Sequence, residues 1–229
     1  MKDSIRNHRH ISARTGMAKG ARMDLIDSLR KHVFADDAQA KRDRYLDPGR
    51  FSGAWFDTLD GPGDAAEVAN RITPADLVAV STLSVNISGW AAIDLLDRKA
   101  DDLSGLLTAV PTDVELHDAS DAHVDAVFAV QDALDAVDGI GHVTRSKLLA
   151  RKRPHLVPVR DQHVLSALIG RDHGPLTRPL RDALRDNLDV RDRLHVLRTK
   201  ANRDGLSLLR TLDIVVWMRA HGDASTHDT

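Results

Sequence analysis

The run Gly139-Ile140-Gly141 lies between two stretches of helical apolar spacing and constrains this chain more than any other segment. Upstream, residues 120–137 put Val124, Val127, Phe128, Val130, Leu134 and Val137 on one side and a row of aspartates on the other. Downstream, a second helix runs over about 143–152. Two glycines around one apolar residue fold such a pair into a tight hairpin over about 120–152. Glycine suits the turn because a side chain would obstruct both the bend and a close approach to the backbone. The second helix then starts with amide N–H groups that have no intrahelical acceptor, at the positive end of its dipole. Such an end can hold a phosphate without any cationic side chain. The same residues also read as a plain helix–helix turn with Ile140 plugging the core.

The rest of the chain agrees with an all-α fold. Aromatic residues make up 3% of the sequence, so a core must rest on Leu, Val, Ile and Ala, which suits packed helices. Apolar spacing predicts helices over about 22–45, 74–83, 88–96 and 100–109, and after the hairpin over 161–170, 176–187, 190–201 and 205–220. Thr73-Pro74 opens one of them with a cap followed by a proline at the first helical position. Its body, Leu77 to Leu83, is apolar on nearly every side and is expected to be buried. Trp55, Trp90 and Trp217 are expected in the core. The alternative is a small α+β domain with Leu156-Val157-Pro158-Val159 as a strand, which the proline opposes. Residues 1–20 read as a disordered basic tail, residues 21–221 as one helical domain, and residues 222–229 as a frayed tail.

Several classes of chemistry are excluded. The chain has no cysteine, which removes disulfides, thiol catalysis and thiolate-held metals. Its twelve histidines form no His-Glu-x-x-His or similar cluster, so no metal site is expected. There is no Gly-x-Ser-x-Gly elbow, phosphate-binding loop or dinucleotide fingerprint, and no cofactor is implied. No apolar run reaches the roughly 20 residues that span a bilayer, so a cytoplasmic protein without a membrane partner is expected.

Nucleic acid is the partner class that the hairpin suggests. The net charge of −2 gives no global basic character, so binding must be local. His142, Thr144, Arg145, Lys147, Arg151, Lys152 and Arg153 follow the hairpin with no acidic residue before Asp161. With Gly139, Ile140 and Gly141 they form the expected contact set for a phosphate backbone. The opposing feature is the row Asp118, Asp121, Asp125, Asp132, Asp135 and Asp138, which repels DNA unless it faces away. That row would serve equally as the contact face of a protein-interaction scaffold.

Residues from about 74 to 170 resemble the helix-hairpin-helix superfamily of DNA glycosylases, the enzymes that begin base-excision repair. Val137-Asp138-Gly139-Ile140-Gly141 stands where that family has its Leu-Pro-Gly-Val-Gly hairpin. Val157-Pro158-Val159-Arg160-Asp161 stands where it has the segment ending in its catalytic aspartate, 22 residues beyond Gly139. Asp76 to Ser84 is similar to the family's buried helix ahead of the loop that wedges into DNA. The whole chain also resembles a group of uncharacterised actinobacterial proteins, a similarity that brings no function with it. The glycosylase resemblance implies an all-helical fold, DNA as partner, Asp161 as catalytic carboxylate and Asn86 as what remains of the wedge. Asp161 also reads as a helix N-cap ahead of Gln162-His163-Val164, and the two roles are compatible. The family's lysine nucleophile corresponds to Val143, so no lyase step is expected, and Lys147 lies one turn too far along. The expectation is a DNA-binding helix-hairpin-helix protein, non-catalytic or acting as a monofunctional glycosylase through Asp161.

Overall fold

A computed structural model describes residues 19–170, 176–201, 203 and 205–221, with residues 19–24 described in backbone only. Among them are eleven α-helices and no strand. In chain order they are α1 (Lys19–Val33), α2 (Ala38–Leu46), α3 (Pro74–Ser81), α4 (Gly89–Ile93), α5 (Ala100–Thr108), α6 (Asp121–Asp135), α7 (His142–Lys152), α8 (Gln162–Ile169), α9 (Thr177–Asp186), α10 (Leu188–Thr199) and α11 (Leu208–His221). The basic tail expected over residues 1–20 lies outside the described residues up to residue 18, and residues 19 and 20 already belong to α1. The tail expected over 222–229 also lies outside them.

Local signals set most helix ends. Thr73 and Asp76 form a reciprocal capping box ahead of Pro74, and Ser120 with His123 does the same for α6. Ser88 caps α4, which runs on through a π-helical turn over Asp94–Arg98. The helix expected over 22–45 is broken between Val33 and Ala38, where Asp36-Asp37 favour a turn over a continuous helix. The last helix begins at Leu208, later than its apolar spacing suggests, because the Ser207 hydroxyl accepts from the Arg210 amide and starts the helix there.

Two groups of helices pack on a main hydrophobic core, with a smaller cluster of Tyr45, Phe51, Leu206, Ile214 and Met218 beside it. In one group, α3 packs on α7, and α5, α6 and α7 pack in sequence. In the other, α11 lies against α1, α2, α8 and α10. Leu208, Leu209, Leu212, Ile214, Val215, Val216 and Met218 are all buried, so α11 is enclosed on nearly every side. The helix α3 was expected to be buried all round, yet only one face is: Ala79 and Val80 are enclosed while Val78 is exposed. The segment Leu156–Val159 is buried but forms no strand, and it links α7 to α8.

Residues 57–72 cross the surface as turns whose carbonyl groups have few partners of their own. The end of α7 supplies the donors. Arg151 gives to Phe56 O at 2.6 Å and Leu59 O at 2.8 Å, and Lys152 gives to Gly63 O at 2.9 Å. Arg153 gives to Ala69 O, Val110 O and Leu107 O and to Asn70 Oδ1, each at 2.6–2.7 Å. Backbone carbonyls buried without secondary structure need such partners. Gly63 passes so close to Arg151 that a Cβ there would lie 2.5 Å from the Arg151 carbonyl oxygen. Asp76 is the carboxylate among the three cations, 2.6 Å from Lys152 Nζ and 3.4 Å from Arg151 Nε. Burial holds the Arg153 guanidinium down at about 10.

Candidate functional site

A cleft of about 630 Å³ opens between the two groups of helices. One wall comes from the end of α2 and the loop behind it, with Tyr45, Arg50 and Phe51. Val143 and Lys147 reach it from α7, Asp161 and His163 from the start of α8, and Arg210, Asp213 and Trp217 from α11. Thr82, Leu83 and Ser84 form a lip after α3. Ser84 holds φ at 60°, a left-handed conformation that is costly for a residue with a Cβ and tends to persist at functional positions.

The polar groups of the cleft are arranged in depth. Arg210 is buried and its three nitrogens are engaged: Nε gives to Asp57 at 3.1 Å, Nη1 to Asp213, and Nη2 to Tyr45 Oη at 3.0 Å and Gly53 O at 2.8 Å. Burial opposes its charge, but Tyr45, Asp57 and Asp213 around it hold the guanidinium more firmly protonated than usual. Burial pushes the Asp213 carboxyl up to about 6, against the pull of Arg210. Lys147 gives to Leu83 O at 2.7 Å, and burial lowers its amine below the ordinary lysine range despite the nearby Asp161 and Asp213 carboxylates. Asp161 accepts from the His163 amide at 2.8 Å and so caps α8, leaving its other oxygen outside the cap.

Aromatic rings line the same space. Tyr45 and Phe51 stack at 5.3 Å between centroids, and Trp217 meets both edge-on at 5.7 and 5.9 Å. His221 stacks on Trp217 at 4.6 Å and meets His163 edge-on at 4.5 Å. Tyr45 is covered by Phe51 and the Arg210 guanidinium, so the ring surface nearest to a flat ligand belongs to the partly buried Trp217 and the exposed His163.

The hairpin stands beside this cleft. Gly139 has φ of 85°, which a residue with a Cβ would hold only under strain, and Ile140 is buried as the plug. Gly141 is the N-cap of α7 and offers no side-chain cap, so the first-turn amides lack protein acceptors of the usual kind. Gly139, Gly141 and His142 are exposed, and Val143 in the same turn lines the cleft.

The basic run that follows the hairpin is not the surface patch that its sequence suggests. Arg151, Lys152 and Arg153 are buried at 3%, 0% and 0% exposure and serve the loop over 57–72, so they offer nothing to a phosphate. Thr144 is buried too, and Arg145 is ion-paired with Asp135. Uninterrupted cations read as a solvated stripe only when neighbouring carbonyls do not need donors; here they do. Lys147 differs from these residues. At four residues from Val143 it shares that residue's helix face and reaches the cleft. The acidic row is engaged as well: Arg178 pairs with Asp121 at 3.0 Å and Asp125 at 2.7 Å, and Arg181 with Asp121 at 2.6 Å.

Asn86 is exposed in the loop between α3 and α4, two residues beyond Ser84 on the cleft lip. Trp90 and Trp55 were expected in the core, yet they are 69% and 45% exposed, and the Arg98 guanidinium lies over the Trp90 ring at 5.5 Å. Trp217 is partly buried and faces the cleft. Sequence reasoning missed Tyr45, Arg210 and Asp213. A signal was present: Arg210 and Asp213 are charged residues within the largely apolar run Leu208–Trp217, where a buried charge needs a reason.

Among the described residues no group of three His, Cys, Asp or Glu side chains could hold a metal ion, and no helix is long and apolar enough to cross a membrane. Residues 35–220 match the model of a family of unknown function (DUF6308). No curated protein and no solved structure gives a significant match.

Proposed function

The chain belongs to the DUF6308 family, whose description carries no activity, and we propose from its own residues that it binds DNA and takes an extruded nucleotide into the cleft for release of the base. One observation carries the reading. Asp161 and Lys147 meet in an aromatic-walled cleft directly beside an uncapped hairpin helix. The hairpin amides would hold a backbone phosphate and fix the register of the duplex. The exposed Asn86 loop would occupy the gap that the extruded nucleotide leaves. Stacking on Trp217 and His163 would then offset the cost of unstacking the base.

Chemistry in this reading is electrostatic. As the glycosidic bond breaks, its electron pair leaves with the base and the sugar develops positive charge that the free oxygen of Asp161 stabilises; water then adds to the sugar carbon and its proton ends on the released base. The cap bond from the His163 amide fixes the carboxylate in advance, so little reorganisation is needed. Lys147 is held against Leu83 O and acts as a donor to the bound nucleotide rather than as an attacking amine. Base release without strand cleavage follows.

Gly141→Asp tests the hairpin. A Cβ at Gly141 meets nothing within 4 Å, so the substitution fits without strain. The new carboxylate caps α7 and is expected to stabilise the fold by about 0.5–1 kcal/mol, read from urea unfolding. It also occupies the amides a phosphate needs and adds repulsion, so duplex affinity is expected to fall at least tenfold. A stabilised variant with unchanged affinity would remove the hairpin from the binding surface.

A further inference from the structure

Among the described residues that line the cleft, one buried side-chain polar atom has no hydrogen-bond partner in the protein. Asp213 is 6% exposed and lines the cleft from α11; one carboxylate oxygen accepts from Arg210, while Oδ1 is shielded from solvent and has no hydrogen-bond partner. A buried carboxylate oxygen without a donor carries a desolvation penalty that folded proteins avoid unless the atom has a task. Arg210 is fixed by Asp57, Tyr45 and Gly53 O and holds the carboxyl in place from behind. In front lie the Lys147 ammonium, which gives to Leu83 O and makes no hydrogen bond to Oδ1, and Asp161, which as an acceptor cannot supply the missing hydrogen. A ligand that enters the cleft can supply that donor. In the same cleft stand Trp217 and His163, whose ring surface suits a flat ligand.

We propose that Asp213 is the specificity residue of the cleft and that its unpaired oxygen accepts an N–H from a base edge carrying an exocyclic amino group, selecting adenine- or cytosine-type edges over carbonyl or unsubstituted ones. The inference rests on the reading of the cleft as a nucleotide site. A carbonyl edge would set lone pair against lone pair, and a bare ring would leave the oxygen buried and unpaired. Protonation inverts the preference. With Oδ2 committed to Arg210, a proton taken up by the carboxyl sits on Oδ1 and turns an acceptor into a donor. Since burial places that titration near 6, selection of the amino edge holds above this pH and fades below it. The charged groups that share the setting are Arg210 on the same helix, Tyr45 from α2, Asp57 behind Arg210, Lys147 from α7, and Asp161 and His163 from the start of α8, with His221 at the rim.

The test uses the full chain and short duplexes carrying a one-nucleotide bulge, 2′-fluorinated at that nucleotide so that its glycosidic bond stays intact. The bulged base is adenine or purine, which is the same ring without the amino group, and an intact duplex is the reference. At pH 7.5 the adenine bulge is expected to bind roughly 10- to 100-fold tighter than the purine bulge, the worth of one hydrogen bond to a charged acceptor. At pH 5 the ratio is expected to fall toward one. Asp213→Asn should abolish it at both pH values, since the amide turns its oxygen to Arg210 and its N–H₂ to the ligand. Both rim histidines are present in either protein, so the difference between the profiles belongs to Asp213. Should the variant fail to fold, the pH dependence of the ratio in the unaltered protein decides. Equal binding of adenine and purine bulges, both tighter than the intact duplex, overturns the role of Asp213 and leaves the nucleotide cleft standing. No preference for either bulge over the intact duplex overturns both.

Discussion

Arg153→Met is expected to cost about 4 kcal/mol of stability, enough to leave a domain with a typical reserve of roughly 5–15 kcal/mol close to unfolded. The methionine fills much of the volume but gives no hydrogen bond. It strands the carbonyls of Ala69 and Val110, which now accept from the guanidinium, while Leu107 O keeps its bond from the Val110 amide and Asn70 Oδ1 lies on an exposed residue. Each acceptor left buried and unpaired costs on the order of 1 kcal/mol or more. Arg153→Lys keeps the charge but can reach only some of these acceptors and is expected to recover less than half of the loss. Equilibrium unfolding in urea checks both values. A methionine variant as stable as the parent would mean that the guanidinium does not hold the loop over 57–72.

This cluster marks where sequence reading and structure part. The hairpin, the helix sequence and the caps at Thr73, Ser120 and Asp161 are local: each is encoded within a few residues and each is legible in the chain. The role of Arg151, Lys152 and Arg153 is set by carbonyls more than 40 residues away and by a loop that has no periodicity to read. Charge alone gives two opposite answers, a solvated phosphate-binding stripe or a buried set of donors, and only the packing decides between them. The cleft divides in the same way. Asp161 is readable from its spacing to the hairpin, whereas Tyr45 and Arg210 join it from 116 residues before and 49 residues after, through tertiary contacts. Val143 and Lys147 are one turn apart and look into the same space.

Asp161→Asn is the second large effect expected. The amide keeps the cap on α8 through its carbonyl oxygen, so the fold should change little. It removes the negative charge that faces the developing sugar cation. Base release is expected to fall by at least 10²-fold, the usual scale for losing one preorganised electrostatic group. Affinity for DNA should stay within a few-fold of the parent, because the hairpin amides and the aromatic wall are untouched. Single-turnover release from duplexes carrying altered bases reads the first quantity and equilibrium binding the second. Loss of binding together with release would mean that Asp161 serves the fold or the DNA contact and not the chemistry.

The central claim is that the cleft receives a nucleotide extruded from DNA, and affinity for a duplex with a stable abasic-site analogue, set against the same duplex intact, tests it most directly. The abasic site opens without the cost of unpairing, so a cleft and lip built for an extruded nucleotide should favour it by about tenfold or more. With Arg151, Lys152 and Arg153 buried, few cations meet the backbone, and the logarithmic salt slope should correspond to only about one to three phosphates. Tighter binding to the abasic duplex with that shallow slope is expected. Equal affinity for both duplexes, or no binding at low salt, would contradict it.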